Sequence, residues 1–94
     1  MATNNLPSLN SIMVEMIADM KKICREQKTP TTWRKKYVYA VPYIDAILTI
    51  NSINDRYGFD TGRGLVNYLL ANLNTYKGET AKRLKGLLKE HLKG

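Results

Sequence analysis

Residues 42–73 have the sequence PYIDAILTINSINDRYGFDTGRGLVNYLLANL, in which apolar residues recur at the spacing of an α-helix. Over residues 42–57 the recurring set falls on one helix face and consists of Ile44, Ile47, Leu48 and Ile53. Over residues 61–74 the set covers a broader arc and consists of Leu65, Val66, Leu69, Leu70 and Leu73. The pattern predicts two helices, and it predicts that neighbours cover the second one on more than one side.

The segment between these helices predicts a tight turn at residues 58–60. Gly58 can adopt the left-handed backbone conformation that commonly ends a helix. Asp60 or Thr61 then offers a side-chain oxygen that can cap the free amides of the next helix. Because a short connection makes neighbouring helices antiparallel, we predict a helical hairpin at the centre of the fold.

Amphipathic helices are also predicted on both sides of this hairpin. Over residues 8–27 the apolar residues fit the helical period, and Ser8 or Asn10 can cap the first turn. Over residues 78–93 an apolar arc lies beside a separate stripe of lysines, which consists of Lys82, Lys85, Lys89 and Lys93. Both segments can therefore bury one face against the hairpin.

Residues 32–40, just before the hairpin, have two interpretations. Their helical spacing either continues through Pro42 as one kinked helix, or it ends so that Pro42 lies in the first turn of a new helix. We favour the second. The 94 residues are predicted to form a flexible segment at 1–7 and a single domain at 8–94. That domain is predicted to be all-α and compact, with the short helix as an optional addition to four main helices at 8–27, 42–57, 61–74 and 78–93.

The positive charge of the chain is concentrated in two blocks. The formal net charge is +7. Residues 21–36 contain seven basic residues and one acidic residue, and residues 61–94 contain seven and two. Residues 1–20 contain two acidic residues and no basic one, and residues 37–60 contain three and one. Such an asymmetric distribution indicates a negatively charged partner.

The pattern offers no grouping of residues for catalysis or metal binding. A single cysteine allows neither a disulfide framework nor a cysteine ligand set, and Cys24 falls on an apolar helix face that predicts a buried thiol. His91 falls in the apolar arc of the last helix, which predicts packing. Residues 62–64 are too short for a phosphate-binding loop and follow no predicted strand. We therefore predict that the protein is not an enzyme and has no catalytic residue, no metal site and no cofactor.

Residues 33–39 interleave aromatic and basic side chains, the combination that stacks on bases and holds the phosphate backbone. The lysine stripe of the last helix could supply further phosphate contacts. We predict a DNA- or RNA-binding protein of low sequence specificity. Its predicted contacts are Trp33, Arg34, Lys35, Lys36, Tyr37, Lys82, Lys85, Lys89 and Lys93.

A protein-interaction or assembly module is the alternative interpretation. A small core, amphipathic terminal helices and six tyrosines are also typical of a homo-oligomer or a small adaptor. The basic surface would then face an acidic protein partner or a second copy of the chain. Salt dependence would not separate the two interpretations, whereas competition by nucleic acid would.

The run LTINSINDRYGFDTGRGLVNYLLANLNTYKGETAKRLKGLLKEHL, at residues 48–92, carries three recognisable motifs. They are an "NSI-D-YG-D" turn, an apolar "NYLL-N" helix and a "GE-AK-LK-LLK" tail. With these motifs the chain resembles, over about residues 40–92, small uncharacterised all-helical proteins of tailed phages and prophages. The resemblance implies a phage origin, which suits either a nucleic-acid accessory protein or an assembly factor, and it implies no activity or site residues.

The sequence also predicts a location in the cell. The start MATNNLPSLN lacks the basic residues and the apolar run of a signal peptide. No window approaches the roughly 18 apolar residues of a membrane span. A lone cysteine fits a reducing compartment. We expect a cytoplasmic protein with no membrane partner, in the cytoplasm of the host cell if a phage encodes it.

Overall fold

A computed structural model describes residues 6–28 and 31–93, which contain five helices and one two-stranded hairpin. In chain order these elements are α1 (Leu9–Glu26), α2 (Trp33–Lys36), α3 (Val41–Ile47), β1 (Arg56–Tyr57), β2 (Asp60–Thr61), α4 (Gly62–Ala71) and α5 (Glu79–Lys93). The mainly helical content is broadly consistent with the predicted all-α class, and the strand hairpin is an addition that the apolar pattern did not indicate. Of the predicted flexible segment, residues 1–5 lie outside the described residues.

α1 follows the prediction for residues 8–27 closely. The side chain of Ser8 accepts a hydrogen bond from the amide of Ser11 at 3.1 Å, so Ser8 is the cap rather than Asn10. Its buried face consists of Leu9, Ile12, Met13, Met16, Met20 and Cys24. The Cys24 thiol is therefore buried, as the sequence predicts.

The predicted helix at 42–57 is wrong in its extent, because α3 ends at Ile47. Beyond that point short polar side chains bind the backbone and compete with helical hydrogen bonds. The hydroxyl of Thr49 donates to the carbonyl of Ala46 at 2.7 Å, and the Asp55 carboxylate accepts from the amide of Asn51 at 2.7 Å. The chain consequently leaves the helix and passes through an irregular segment into the strand hairpin.

The hairpin places Gly58 in a different role from the predicted one. Arg56 pairs with Thr61 and Tyr57 pairs with Asp60, so the connecting loop has two residues. The φ of Gly58 is +63°, and that of Phe59 is not positive, which matches a type II′ hairpin turn. The left-handed glycine is thus confirmed, although it turns a pair of strands rather than ending a helix.

α4 and α3 begin with recognisable signals. The hydroxyl of Thr61 accepts from the amide of Gly64 at 3.0 Å, so Thr61 is the cap that the sequence left open between two residues. Pro42 lies in the first turn of α3, after α2 ends at Lys36 and a turn spans residues 37–40. The interpretation with a new helix at Pro42 is therefore confirmed.

The helices pack around one hydrophobic core. α1 lies against α5, and α3 lies against α4. Ile50 and Ile53 of the irregular segment are buried with them. The apolar pattern thus identified Ile53 as a core residue even where the helix was wrong, whereas Ile50 was not in the predicted set. The side chain of Tyr76, in the loop between α4 and α5, is fully buried in the same core.

Gly62, the first residue of α4, lies close to the backbone of residues 52–53. A Cβ atom placed on Gly62 would lie 2.6 Å from the carbonyl oxygen of Ser52 and 2.8 Å from the Cα of Ile53. Both neighbours are backbone atoms, so neither can rotate away. A side chain at this position would force the irregular segment away from α4.

We expect Gly62→Ala to lower the free energy of unfolding by about 1–3 kcal/mol, because it overpacks a backbone contact. Gly86→Ala is the matched control, since Gly86 lies on α5 and a Cβ added there would have no neighbouring atom within 4 Å. That control should instead stabilise the protein by about 0.5–1 kcal/mol. Urea denaturation measures both values, and a Gly62→Ala protein as stable as the wild type would contradict the close approach.

Candidate nucleic-acid interface

Arg34, in the first predicted contact set, is held by a carboxylate. Its Nη2 atom donates to Oδ2 of Asp45 at 2.7 Å, and Nη1 lies 3.5 Å from Oδ1. Its guanidinium also lies 5.3 Å from the centre of the Trp33 ring. Trp33 is half-buried against the core and lines a groove on α1 with Lys21 and Arg25. Because Asp45 already pairs with Arg34, this residue is less able to bind a phosphate than the sequence suggests.

Tyr37 and Lys36 are neighbours with opposite surroundings. Tyr37 is 4% exposed and packs edge-on against Tyr76, with ring centres 5.7 Å apart. Burial raises the pKa of the Tyr37 phenol, and the nearby Cys24 and Asp19 raise it further. In this conformation its ring cannot stack on a base. Lys36 lies over the outer side of the same ring, with Nζ 5.7 Å from the ring centre.

The lysine stripe of α5 divides into three kinds of residue. Lys85 Nζ donates to the carbonyl oxygens of Leu73 at 2.9 Å and Tyr76 at 2.6 Å, so it fixes the end of the preceding loop. Lys93 pairs with Glu90 at 3.1 Å. Lys82 and Lys89 are exposed, and neither forms an ion pair within the described part of the chain.

Lysines of the two basic blocks meet in one groove of about 310 Å³, here called the lysine groove. It lies between the end of α1, the end of α2 and the loop from α4 to α5. Lys36 comes from the first basic block and Lys77 from the second. The full lining consists of Ile23, Glu26, Gln27, Lys36, Tyr37, Thr75 and Lys77.

The positive charge continues from the lysine groove toward α5. Burial lowers the pKa of Lys85, and the proximity of Lys77 and Lys89 lowers it further. Lys77 and Lys89 are therefore each close enough to repel Lys85. Among the described residues that line the lysine groove, Glu26 is the one acidic residue, and it lies 4.0 Å from Lys22.

A second groove of about 190 Å³ adjoins the first and is here called the tyrosine groove. It is lined by Tyr39, Ala71, Asn72, Asn74 and Thr75. Thr75 lines both grooves, so they meet at that residue. Sequence reasoning named neither Lys77 nor the asparagines, because loop residues have no periodicity that indicates which way they face.

Some of the predicted contacts are thus brought together and others are not. Lys36 lies in the lysine groove, and Lys35 is exposed on the same short helix. Trp33 lines a different groove, and Lys93 lies at the far end of α5. His91, predicted to pack, is half-buried with Nε2 2.6 Å from the carbonyl oxygen of Pro7.

Within residues 6–28 and 31–93 the structure contains neither a metal-binding cluster nor a membrane-spanning helix. No group of three or more His, Cys, Asp or Glu side chains there could hold a metal ion. No helix in the same ranges has both the length and the apolar character needed to cross a membrane.

Comparison with known proteins gives no relative, since no family model, no curated protein and no solved structure matches this chain. The resemblance to phage proteins stays a prediction. The arguments about function therefore depend on the geometry of the two grooves.

The loop between α4 and α5, which contributes to both grooves, is anchored by Tyr76, and its phenol predicts a pH dependence. The Tyr76 hydroxyl donates to Oδ2 of Asp19 at 2.7 Å. Burial, and then this bond to Asp19, raise the pKa of Tyr76 above the ordinary value of 10.0. The folded state consequently keeps a proton that the unfolded state loses above about pH 10, so stability falls as pH rises from there.

We expect Tyr76→Phe to reduce this alkaline loss of stability by up to about 1.4 kcal/mol per pH unit, because one retained proton is removed. Urea denaturation between about pH 8 and pH 11 measures the slope. The lowered pKa of Lys85 has the opposite sign, and it cancels when the two proteins are compared. Tyr57→Phe, in the exposed hairpin, is the control for the loss of a phenol hydroxyl. A Tyr76→Phe slope equal to the wild-type slope would contradict the assignment.

Proposed function

We propose that this protein binds nucleic acid with low sequence specificity, through phosphate contacts centred on the lysine groove. The supporting observation is that two basic blocks far apart in the sequence each supply a lysine to this groove, Lys36 and Lys77. Lysines that neutralise phosphates release counterions, and this release supplies most of the non-specific affinity for nucleic acid.

Neighbouring lysines extend the proposed contact surface. Lys35 precedes Lys36 on α2, and Lys82 and Lys89 are exposed on α5. A phosphate backbone along these residues would also relieve the repulsion among the lysines near Lys85. For such a surface we expect a dissociation constant of about 10⁻⁴–10⁻⁶ M at physiological salt.

Low sequence specificity is expected because phosphate contacts position a protein without identifying the bases. Arg34 is engaged by Asp45, and Lys85 by backbone carbonyls. Trp33 and Tyr37 pack in or against the core. The set of proposed phosphate contacts is therefore smaller than the set predicted from the sequence. It consists of Lys35, Lys36, Lys77, Lys82 and Lys89.

The double variant Lys36→Glu/Lys77→Glu tests this proposal. We expect at least about tenfold weaker binding to every oligonucleotide sequence, together with a salt slope shallower by about 1.4 for a single strand, because two phosphate contacts are lost. Fluorescence anisotropy with labelled oligonucleotides, between about 50 and 200 mM salt, measures both quantities.

The matched control is Arg56→Glu/Lys93→Glu, which changes the net charge by the same amount. Arg56 lies in the hairpin before α4, and the Arg63 side chain of α4 bonds the Leu92 carbonyl at the end of α5. The ten residues of α4 span about 15 Å, so both control positions lie at the end of the fold away from the lysine groove. Equal losses for the two double variants would refute a defined interface.

Self-association is a second candidate function, and the exposure of Phe59 favours it. The Phe59 side chain is fully exposed at the tip of the strand hairpin. Arg56 and Asp60 give the same hairpin charges of both signs. In a twofold-symmetric dimer the same surface of both copies is in contact. A positive residue of one hairpin can therefore lie against a negative residue of the other, and the reverse.

If the hairpin mediates self-association, Phe59→Ser should shift a dimer to a monomer, because a solvent-exposed aromatic anchor supplies much of such an interface. Light scattering coupled to size exclusion measures the molar mass over a concentration series. Tyr39→Ser, which removes an exposed aromatic side chain outside the hairpin, is the control for a general loss of apolar surface. A wild-type protein that stays monomeric at every concentration would exclude this candidate.

A further inference from the structure

Tyr39 is an exposed aromatic residue held in a fixed turn. Its neighbours Tyr37 and Ala40 are both buried, and the amides of Ala40 and Val41 donate to the Tyr37 carbonyl at 2.9 and 3.2 Å. The turn is thus anchored on both sides, while the Tyr39 side chain is 77% exposed. Because the backbone that carries the ring is held in place, binding has to order only the side-chain torsions of Tyr39.

The tyrosine groove beside this ring has the size and chemistry for a planar polar group. Its volume of about 190 Å³ is below the roughly 300–1,000 Å³ of sites that enclose a whole small molecule. It can therefore accommodate one part of a larger ligand. Asn72 and Asn74 line the groove, and carboxamides offer both donors and acceptors to the edge of a base. Nδ2 of Asn72 already donates one hydrogen bond to the Tyr68 carbonyl at 2.8 Å, which leaves its oxygen and its second N–H for a ligand.

The two grooves share a lining residue, so cations and an aromatic ring lie on one continuous surface. Lys36 and Lys77 lie in the lysine groove, Tyr39 lies in the tyrosine groove, and Thr75 belongs to both. In a single strand the phosphates and the unstacked bases are displayed side by side, and proteins that bind it pair cations with aromatic platforms. A duplex covers the faces of its bases, so it offers no face to Tyr39.

We infer that the ligand of this surface is single-stranded nucleic acid, with Tyr39 stacking on a base while Lys36 and Lys77 hold the adjacent phosphates. This inference depends on the proposed nucleic-acid binding and specifies its substrate class.

The test compares Tyr39→Ala with wild type on four labelled ligands. These are single-stranded DNA, single-stranded RNA, a duplex, and a single strand of abasic sites that keeps its phosphates but has no bases. We expect Tyr39→Ala to bind both intact single strands about 5- to 100-fold more weakly, because one stacking contact is lost. Affinity for the duplex and for the abasic strand should not change.

Tyr39→Phe is the conservative variant and should bind single strands as wild type does, because stacking needs the ring rather than the hydroxyl. Tyr57→Ala removes an exposed tyrosine from the distant hairpin and should have no effect on any of the four ligands. Circular dichroism of each variant checks that the helices are retained. Comparison of the DNA and RNA strands identifies which sugar the surface prefers.

Two results would overturn the inference and leave the proposed function in place. In the first, Tyr39→Ala weakens intact and abasic strands equally, and in the second it has no effect on single strands. In either case Lys36→Glu/Lys77→Glu would still weaken binding. If none of the four ligands binds the wild-type protein at low salt, the proposed function fails and this inference fails with it.

Discussion

The buried side chain of Tyr76 is the contact around which both grooves are built. Its hydroxyl bonds Asp19 of α1, its ring meets Tyr37 in the turn before α3, and its backbone carbonyl accepts from Lys85 of α5. A residue in a short loop thus connects three other parts of the fold. This loop supplies Thr75 to both grooves, Lys77 to the lysine groove, and Asn72 and Asn74 to the tyrosine groove, so the wall that it forms depends on this one anchor.

The arrangement of lysines around that loop lowers the stability of the folded state. Lys85 is half-buried, and its lowered pKa reports both its burial and the proximity of Lys77 and Lys89. Lys85 also donates hydrogen bonds to the carbonyls of Leu73 and Tyr76, and these bonds offset part of the loss of stability. Like charges brought together in this way destabilise the folded state, and a polyanion bound across them would remove the repulsion.

Apolar periodicity was sufficient to predict most helices but not their ends. α1, α4 and α5 lie within a few residues of their predicted bounds, since long apolar faces leave little choice of structure. α3 was predicted ten residues too long, because Thr49 and Asp55 bind backbone groups that a helix would have used. Such local competition is invisible to a pattern that counts only apolar positions.

The candidate site was predicted only in part, and for a related reason. Lys36 could be chosen from its basic neighbours, but its meeting with Lys77 depends on how α1, α2 and a loop pack together. Helical spacing groups Tyr37 with Ala40 and Val41, and all three are buried, but it does not show that Tyr39 lines a groove with residues 71–75. The direction of a turn residue is decided by which neighbours the core accepts.

The first turn of α4 limits how this protein can attract an anion. The amide of Gly62 donates to the Asp55 carbonyl at 2.7 Å, that of Arg63 donates to Ile53 at 2.9 Å, and Gly64 donates to Thr61. A helix start with free amides is a common site for phosphate. Here the irregular segment and the cap already occupy those donors. At the start of α4, accordingly, any affinity for anions must come from charged side chains rather than from main-chain N–H groups.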